Sequence, residues 1–420
     1  VEDTNTIITN QKTDKASSHT VTIDAGNDKV EVTLDNVNIK ADSGSALISK
    51  GDVTLTLKGD NHLTGGNGGS SSYGGDGITS SGSLTISGGT VTATGGDSTS
   101  SVGSGGSGIY SVSGDVTISG GTVNANGGDG KNGSGGGSGG YGISSSGVAI
   151  SGGTVTANGG DGGSGSGSHG GNGIYSSSGV AISGGAVTAN GGDSKDGSGG
   201  NGIYSSGSVA ISGGTVTANG GNGGTNSGGY GIISKDIDLS GSLELTAKAG
   251  SPNGKALSRA GHEFDLDTIK DKLDPGAKVT TTDADGKVIQ QVSIPRPVEP
   301  EKPVIPGDSS SSSGGGSAGA SVQESVFPGL VVTDKDGQRI SYTSIRGNNV
   351  LSLRVGRFTA SLRASLAALR QLRAEGIDTI TFQTILCSTT LSVDELLAMG
   401  GEDAEAVLTH RFTASSLTVG

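Results

Sequence analysis

The chain has 420 residues, 83 of them glycine, with 1 cysteine, 1 methionine, no tryptophan and a formal net charge of −13. A single cysteine, Cys387, excludes an internal disulfide, and no apolar run is long enough for a membrane-spanning helix. Residues 1–294 carry 16 Lys and Arg against 27 Asp and Glu, a net of −11, which argues against nucleic acid, whose phosphates need clustered basic residues.

From the start, short alternating segments dominate: Val21-Thr22-Ile23, Val30 to Leu34, Val37-Asn38-Ile39 and Val53 to Leu57. An apolar period of two is strand geometry with one face inward. The block Ile-Ser-Gly-Gly-Thr-Val-Thr-Ala-Asn-Gly-Gly then recurs, with small changes, from Ile86, Ile118, Ile150, Ile182 and Ile211, at spacings of 32, 32, 32 and 29 residues. Repeated units of this size cannot bury an apolar face alone and must stack. One unit, Gly173 to Gly192, holds three apolar touches: Ile174, then Val180 and Ile182, then Val187 and Ala189. Three short strands per unit predict one coil of a right-handed parallel β-helix. Val180 should then sit between Val148 and Val209, and Ile182 between Ile150 and Ile211. Gly/Ser/Asn-rich loops such as Asp161 to Asn172 should leave one corner and absorb length differences at little cost. With Gly44-Ser45-Ala46-Leu47-Ile48 matching the Gly-Ile corner of later units and a degenerate last coil around Ile237 to Leu257, the count is about eight coils. The charged stretch Asp265 to Asp274 should cap the open end, which would otherwise expose strand edges.

Residues 295–321 read as a linker: five of the 8 prolines lie between Pro295 and Pro306, and a Ser/Gly spacer follows. Residues 322–420 read as a separate small α+β domain. It should open with a hairpin, Val331-Val332-Thr333 to Ile340-Ser341-Tyr342, turning at Asp336-Gly337. A helix from Phe358 to Ala374 should end at Gly376, a strand should run from Ile377 to Ile385, and Ser392-Val393-Asp394-Glu395 should box the start of a second helix. His410 is isolated and reads as structural.

Candidate binding residues ride on the repeat. Tyr110, Tyr175 and Tyr204 follow the corner isoleucine, while Tyr73, Tyr141 and Tyr230 precede a corner. Stacked, they would line one edge with aromatic faces suited to sugar rings; alternatively, duplication copied a packing residue. Asp97, Asp129, Asp161 and Asp193 each follow a Gly-Gly, with Asn222 in the last unit. Such carboxylates either splay into water or hold a cation, for which Ca²⁺ is the chemical match. Asn126, Asn158, Asn190 and Asn219 should bond to their own copies and tolerate a left-handed turn before Gly-Gly. Thr90-Val91-Thr92, Thr154-Val155-Thr156 and Thr215-Val216-Thr217 are similar to ice-binding arrays, although Thr122-Val123-Asn124 and Ala186-Val187-Thr188 break the pattern. A polysaccharide lyase or hydrolase needs carboxylates gathered with Arg or Lys. Only the first coils are dense enough in such residues (Asp24, Asp28, Lys29, Asp35, Lys40, Asp42), while Arg259 lies at the far end and His169 has no counterpart in other copies.

The Ile-Ser-Gly-Gly-Thr-Val-Thr-Ala-x-Gly-Gly units, over residues 15–260, resemble the Gly-rich repeats of large secreted proteins of gut-type Gram-positive bacteria. They also resemble the bacterial β-helix family of carbohydrate-binding domain proteins. That family's members bind acidic plant polysaccharides and carry calcium, so the resemblance implies an extracellular or cell-surface, non-catalytic protein that binds polysaccharide or cell-surface glycan and carries calcium, its signal peptide absent from this sequence. The expectation is therefore a multivalent glycan binder or adhesin, with a ligand-free surface stalk as the competing class. Neither nucleic acid nor membrane insertion is expected, and the oligomeric state is left open.

Overall fold

The computed structural model describes residues 6–295 and 329–419, apart from 11–14, 69–72, 101, 134, 166, 225, 335–336, 341, 348, 356–358, 385–387, 400–404 and 412–413. The chain divides into two compact units, residues 1–300 and 301–420. The linker proper and Cys387 fall outside the described residues.

The first unit is a parallel β-solenoid of about 11 turns. Three strand columns climb it in register. In the first, Ile143, Ile174, Ile203 and Ile232 are partners in successive coils. In the second, Val148–Val180–Val209 and Ile150–Ile182–Ile211 align as the repeat predicts. In the third, Val123, Val155, Val187 and Val216 form a column with Ala125, Ala157, Ala189 and Ala218 beside it. All of these side chains are buried, and each large aliphatic one contributes about 1.5–3 kcal/mol. The estimate of eight coils was low because the end turns keep the register without the consensus. Thr6–Thr9 stacks in parallel on Val32–Asp35, and Lys278–Thr282 stacks on Glu244–Lys248. Beyond Lys278–Thr282, the antiparallel Val288–Ser293 ends the ladder. The Asp265 to Asp274 stretch does cover this end: a 3₁₀ helix, Leu266–Lys272, is N-capped by Asp265 and buries Leu266 and Ile269 against the core.

Two corners have a local physical cause. Where the first column bends into the second, buried serines point inward, and in several coils the hydroxyl satisfies a turn carbonyl. Ser80 bonds Gly82 O at 2.8 Å, Ser145 bonds Gly147 O at 2.7 Å, and Ser176 bonds Gly179 O at 2.9 Å. Between second and third columns, the second glycine of Ile-Ser-Gly-Gly adopts the left-handed region, with φ of 79° at Gly121, 81° at Gly153 and 83° at Gly185, which only glycine enters cheaply.

At the third corner the expectation of loops projecting from a cylinder is corrected. The glycine-rich segments leave and return as two extended arms that stack into a layer of their own. A continuous chain of backbone bonds crosses them in zigzag: Gly160 N–H to Gly140 O, Gly171 to Gly160, Gly192 to Gly171, Gly200 to Gly192, and Gly221 to Gly200, each at 2.8–2.9 Å. These glycines are buried. A Cβ on Gly171 would lie 1.8 Å from Gly140 O, so no side chain fits. The arm tips take up the shorter 29-residue spacing, while smaller differences fall at the corner between the first and second columns, where Ser145 and Gly147 shift register against the next coil.

The second unit holds two four-stranded sheets. One is antiparallel: Leu330–Thr333, Thr359–Ser365, Glu405–Arg411 and Ala414–Val419. The other orders Thr343–Gly347, Val350–Arg354, Thr379–Gln383 and Ser388–Ser392, with a parallel central pair. The expected helix from Phe358 is corrected: Thr359–Ser365 is a strand and the helix spans only Leu366–Ala374. Ala360, Leu362 and Ala364 bury with period two, and Ser365 accepts the Ala368 N–H as N-cap, so the Leu362–Leu366 spacing of four was coincidental. The second helix, Val393–Met399, starts after Ser392 as expected. The predicted hairpin closes through Asp334 N–H to Gln338 O, and among the described residues its second arm supplies one bridge, Thr333 to Arg339. His410 is fully buried, with its ring centroid 4.9 Å from that of Phe382 and its Nε2 2.9 Å from Thr389 Oγ1, and burial lowers its pKa.

The glycine layer yields a direct test. Gly171→Ala forces a backbone collision and is expected to cost roughly 3 kcal/mol or more, whereas Gly120→Ala, with nothing within 4 Å of its Cβ, should stay within about 0.5 kcal/mol of wild type. Thermal melts of the two purified variants check this; equal melting temperatures would remove the glycine layer from the list of stabilising elements.

Candidate functional site

The tyrosines gather more tightly than simple column order predicts. Tyr110, Ser144, Tyr175, Tyr204 and Ile233 share one outward register position. Ser144 would interrupt the column, but Tyr141, three residues upstream, fills the gap. Its ring stacks on Tyr175 at 5.1 Å and 14°, and Tyr175 stacks on Tyr204 at 5.3 Å and 0°. Burial, then the neighbouring phenols Tyr175, Tyr204 and Tyr110, raise the Tyr141 pKa, so its hydroxyl is neutral, a donor and an acceptor. The faces expected to meet sugar rings are therefore turned against one another inside the stack. What the stack leaves uncovered is a row of ring edges, from Tyr141, Tyr175 and Tyr204 in three successive coils. Tyr110 is 36% exposed. Tyr73, 70% exposed, and the half-buried Tyr230 occupy other register positions.

The acidic column is a hydrogen-bonded ladder. Asp97 Oδ1 accepts the Asp129 N–H at 2.9 Å, Asp129 that of Asp161 at 2.8 Å, Asp161 that of Asp193 at 2.8 Å, and Asp193 that of Asn222 at 2.6 Å. Each carboxylate thus satisfies the next coil's amide on the outer edge of the glycine layer. Partial burial raises the Asp129 pKa, the Asp161 N–H opposes this, and the charges of Asp161 and Asp97 add to it. Ca²⁺ requires six to eight oxygens converging on a point; this ladder spreads its oxygens along a line and commits one per residue. Among the described residues no three His, Cys, Asp or Glu side chains gather for a metal.

A second ladder escaped the sequence reading. Asp76 Oδ1 accepts the Ser107 N–H at 2.7 Å; Asn172 and Asn201, at the same place in later coils, accept the N–H of Asn201 and Tyr230 at 2.8 Å. The signal was there, a polar residue two before each corner isoleucine, but the tyrosines at 141 and 230 obscured it. The Asn column behaves as expected in bonding its copies: Nδ2 to Oδ1 is 2.8 Å from Asn158 to Asn126, Asn190 to Asn158 and Asn219 to Asn190. These residues are strand ends and not left-handed turns, which corrects the second half of that expectation. The Thr array lies on the same third-strand face, with Thr92, Asn124, Thr156, Thr188 and Thr217 in one column.

The charged residues of the first coils do not converge. Asp24 pairs with Lys50 at 3.5 Å, both exposed, and the register places Lys29 by Asp52 and Asp35 by Lys58. Arg259 pairs with Asp236 at 2.9 Å. A groove not foreseen from sequence lies beside it, lined by Arg259, His262, Glu263, Phe264, Asp265 and Thr268. The His169 backbone bridges to Ser198. No helix among the described residues is long and apolar enough to cross a membrane. Comparison with family models, with curated proteins and with solved structures finds no match for this chain.

Two outcomes follow. Tyr175→Ala removes both ring contacts and should lower stability by about 1–3 kcal/mol, read as a lower melting temperature; an unchanged melt would show the stack to be incidental. The Asp76 carboxyl has its pKa raised, chiefly by burial, against the bonds from Thr79 and Ser107 that lower it. The folded state therefore holds that proton more tightly than the unfolded chain, and its stability contribution falls as pH rises from the ordinary carboxylate value through the raised one. Asp76→Asn, the residue that later coils use here, should match or exceed wild-type stability at pH 7, with the difference vanishing at low pH. Melts across that range check it, and a variant weaker than wild type at pH 7 contradicts the burial cost.

Proposed function

We propose that this chain is a non-catalytic, surface-displayed protein that binds polysaccharide through weak contacts repeated along the solenoid. The observation that carries the reading is the tyrosine stack, which sets phenol edges at coil spacing along a rigid support. An extended polymer lying along the axis would meet the same donor–acceptor group at each coil, and linked weak contacts multiply. Inter-coil bonding holds the groups in place before binding, which reduces the ordering cost. The aspartates, engaged by the backbone, are structural in this reading, and calcium is not required for binding.

A glycan array with and without Ca²⁺ tests it, using wild type and a Tyr110/Tyr175/Tyr204→Phe triple variant that keeps the rings and loses the hydroxyls. Wild type should retain a polymeric glycan whether or not Ca²⁺ is present, and the variant should bind about tenfold or more weakly. No binding by wild type returns the protein to the class of ligand-free stalk. Equal binding by the variant moves the site away from the tyrosines, and release of new reducing ends or unsaturated products would show an enzyme.

A further inference from the structure

We infer that the third-strand face between Thr90 and Asn219 is a second binding surface, and that its ligand is a neutral, hydroxyl-rich polysaccharide chain laid along the solenoid axis; this rests on the polysaccharide-binding reading above. The face presents three outward columns over five successive coils, and none of their residues is charged although the chain carries −13. Rows repeat at about 4.8 Å and columns stand about 7 Å apart. The middle column, Thr92, Asn124, Thr156, Thr188 and Thr217, is half-buried and in strict register. Each threonine there sets a hydroxyl beside a methyl group, which suits a sugar ring with its hydroxyl edges and C–H faces.

The neighbouring Asn ladder adds order. It uses at most one N–H and one lone pair of each carboxamide, with Asn126 only accepting and Asn219 only donating, and a carboxamide has two of each. The ladder therefore locks the amide planes and leaves further hydrogen-bonding capacity on every rung.

Charge decides the polymer class. Three residues beyond the Asn column, about 10 Å along extended chain, runs the ladder of Asp97, Asp129, Asp161 and Asp193. That is close to the Debye length at physiological salt, so a uronate or phosphate polymer on this face would be repelled along its length. The basic residues available to offset this are Lys131 and Lys195, at the arm tips, and the Lys131 ammonium already bonds Thr99 O at 2.7 Å. At its two ends the face gives way to Asp60 and His62, then to Glu244 and Lys248, which bounds the polymer footprint to five coils.

The experiment uses the full chain in co-sedimentation with cellulose, chitin and β-glucan as neutral polymers, and in affinity electrophoresis with polygalacturonate and alginate as acidic ones. A Thr156/Thr188/Thr217→Val variant keeps β-branched shape and loses three hydroxyls. The expected result is retention by a neutral polymer and not by the acidic ones, with about tenfold or greater loss in the Val variant and an unchanged melting temperature. Preference for the acidic polymers overturns the neutral class while leaving polysaccharide binding intact. Binding to none of the polymers removes both readings. Neutral binding that survives the Val substitutions but not the tyrosine substitutions overturns the placement on this face. Inhibition of ice growth that is lost in the Val variant, without polymer binding, also overturns it and identifies an ordered water surface as the ligand.

Discussion

Each coil of the solenoid must hand its backbone hydrogen bonds to the coil above, and the rest of the architecture depends on that transfer staying in register. A strand whose partner is a copy of itself gains nothing from a slip of one residue, because every inward Val or Ile would then face water. Two materials enforce the register. On three sides it is the aliphatic columns, where Ile150, Ile182 and Ile211 are partners in successive coils. On the remaining side it is glycine, packed so closely that the Gly171 Cβ position is occupied by a carbonyl oxygen of the coil below. The high glycine content is thus a packing requirement as well as a conformational one. Backbone there packs on backbone, and the zigzag of N–H to C=O bonds takes the place of a hydrophobic core.

Polar side chains follow the same demand. A solenoid corner leaves amides and carbonyls without strand partners, and a buried or half-buried polar group without a partner costs about 1–3 kcal/mol. The Asp97 to Asn222 ladder supplies the missing partner once per coil, and the inward serines and the Asp76, Asn172 and Asn201 positions supply it in several coils. Repetition of an acidic residue is therefore explained by repetition of the amide that it satisfies. The tyrosines are a different case. Ser144 stands where the register asks for a tyrosine, and Tyr141 reaches in from another position to complete the stack. No free amide calls for this, so the continuity of the row is the part of the pattern that backbone satisfaction leaves over.

The β-helix was legible because Val and Ile at period two, repeated every 29 or 32 residues, admit one inward face. What could not be read from the consensus was the number of turns, since Thr6–Thr9 and Lys278–Thr282 hold register through shape and carry no copy of the motif. The glycine arms were misjudged for a related reason: in a single sequence a Gly/Ser run looks like slack loop, and its order arises only when neighbouring runs lie side by side. The segment from Phe358 to Ala374 shows the local version of this limit. Its leucines satisfy a helical spacing and its Ala360-x-Leu362-x-Ala364 alternation a strand, and the partners Leu330–Thr333 and Glu405–Arg411 decide between them over residues 359–365.

Candidate chemistry was legible by position and not by geometry. Column membership follows from spacing, so the tyrosine, aspartate, asparagine and threonine rows were all foreseeable. Which atoms face outward was not. Stacking turns the aromatic faces inward on one another, and the ladder turns one carboxylate oxygen of each aspartate toward the backbone. In the binding function proposed above, both changes shift recognition from single strong groups toward many equivalent weak ones. In the proposed reading, selectivity rests on spacing, planarity and charge. A surface of that kind distinguishes ligands by whether they are themselves periodic, and an extended polymer meets that condition where an isolated small molecule does not.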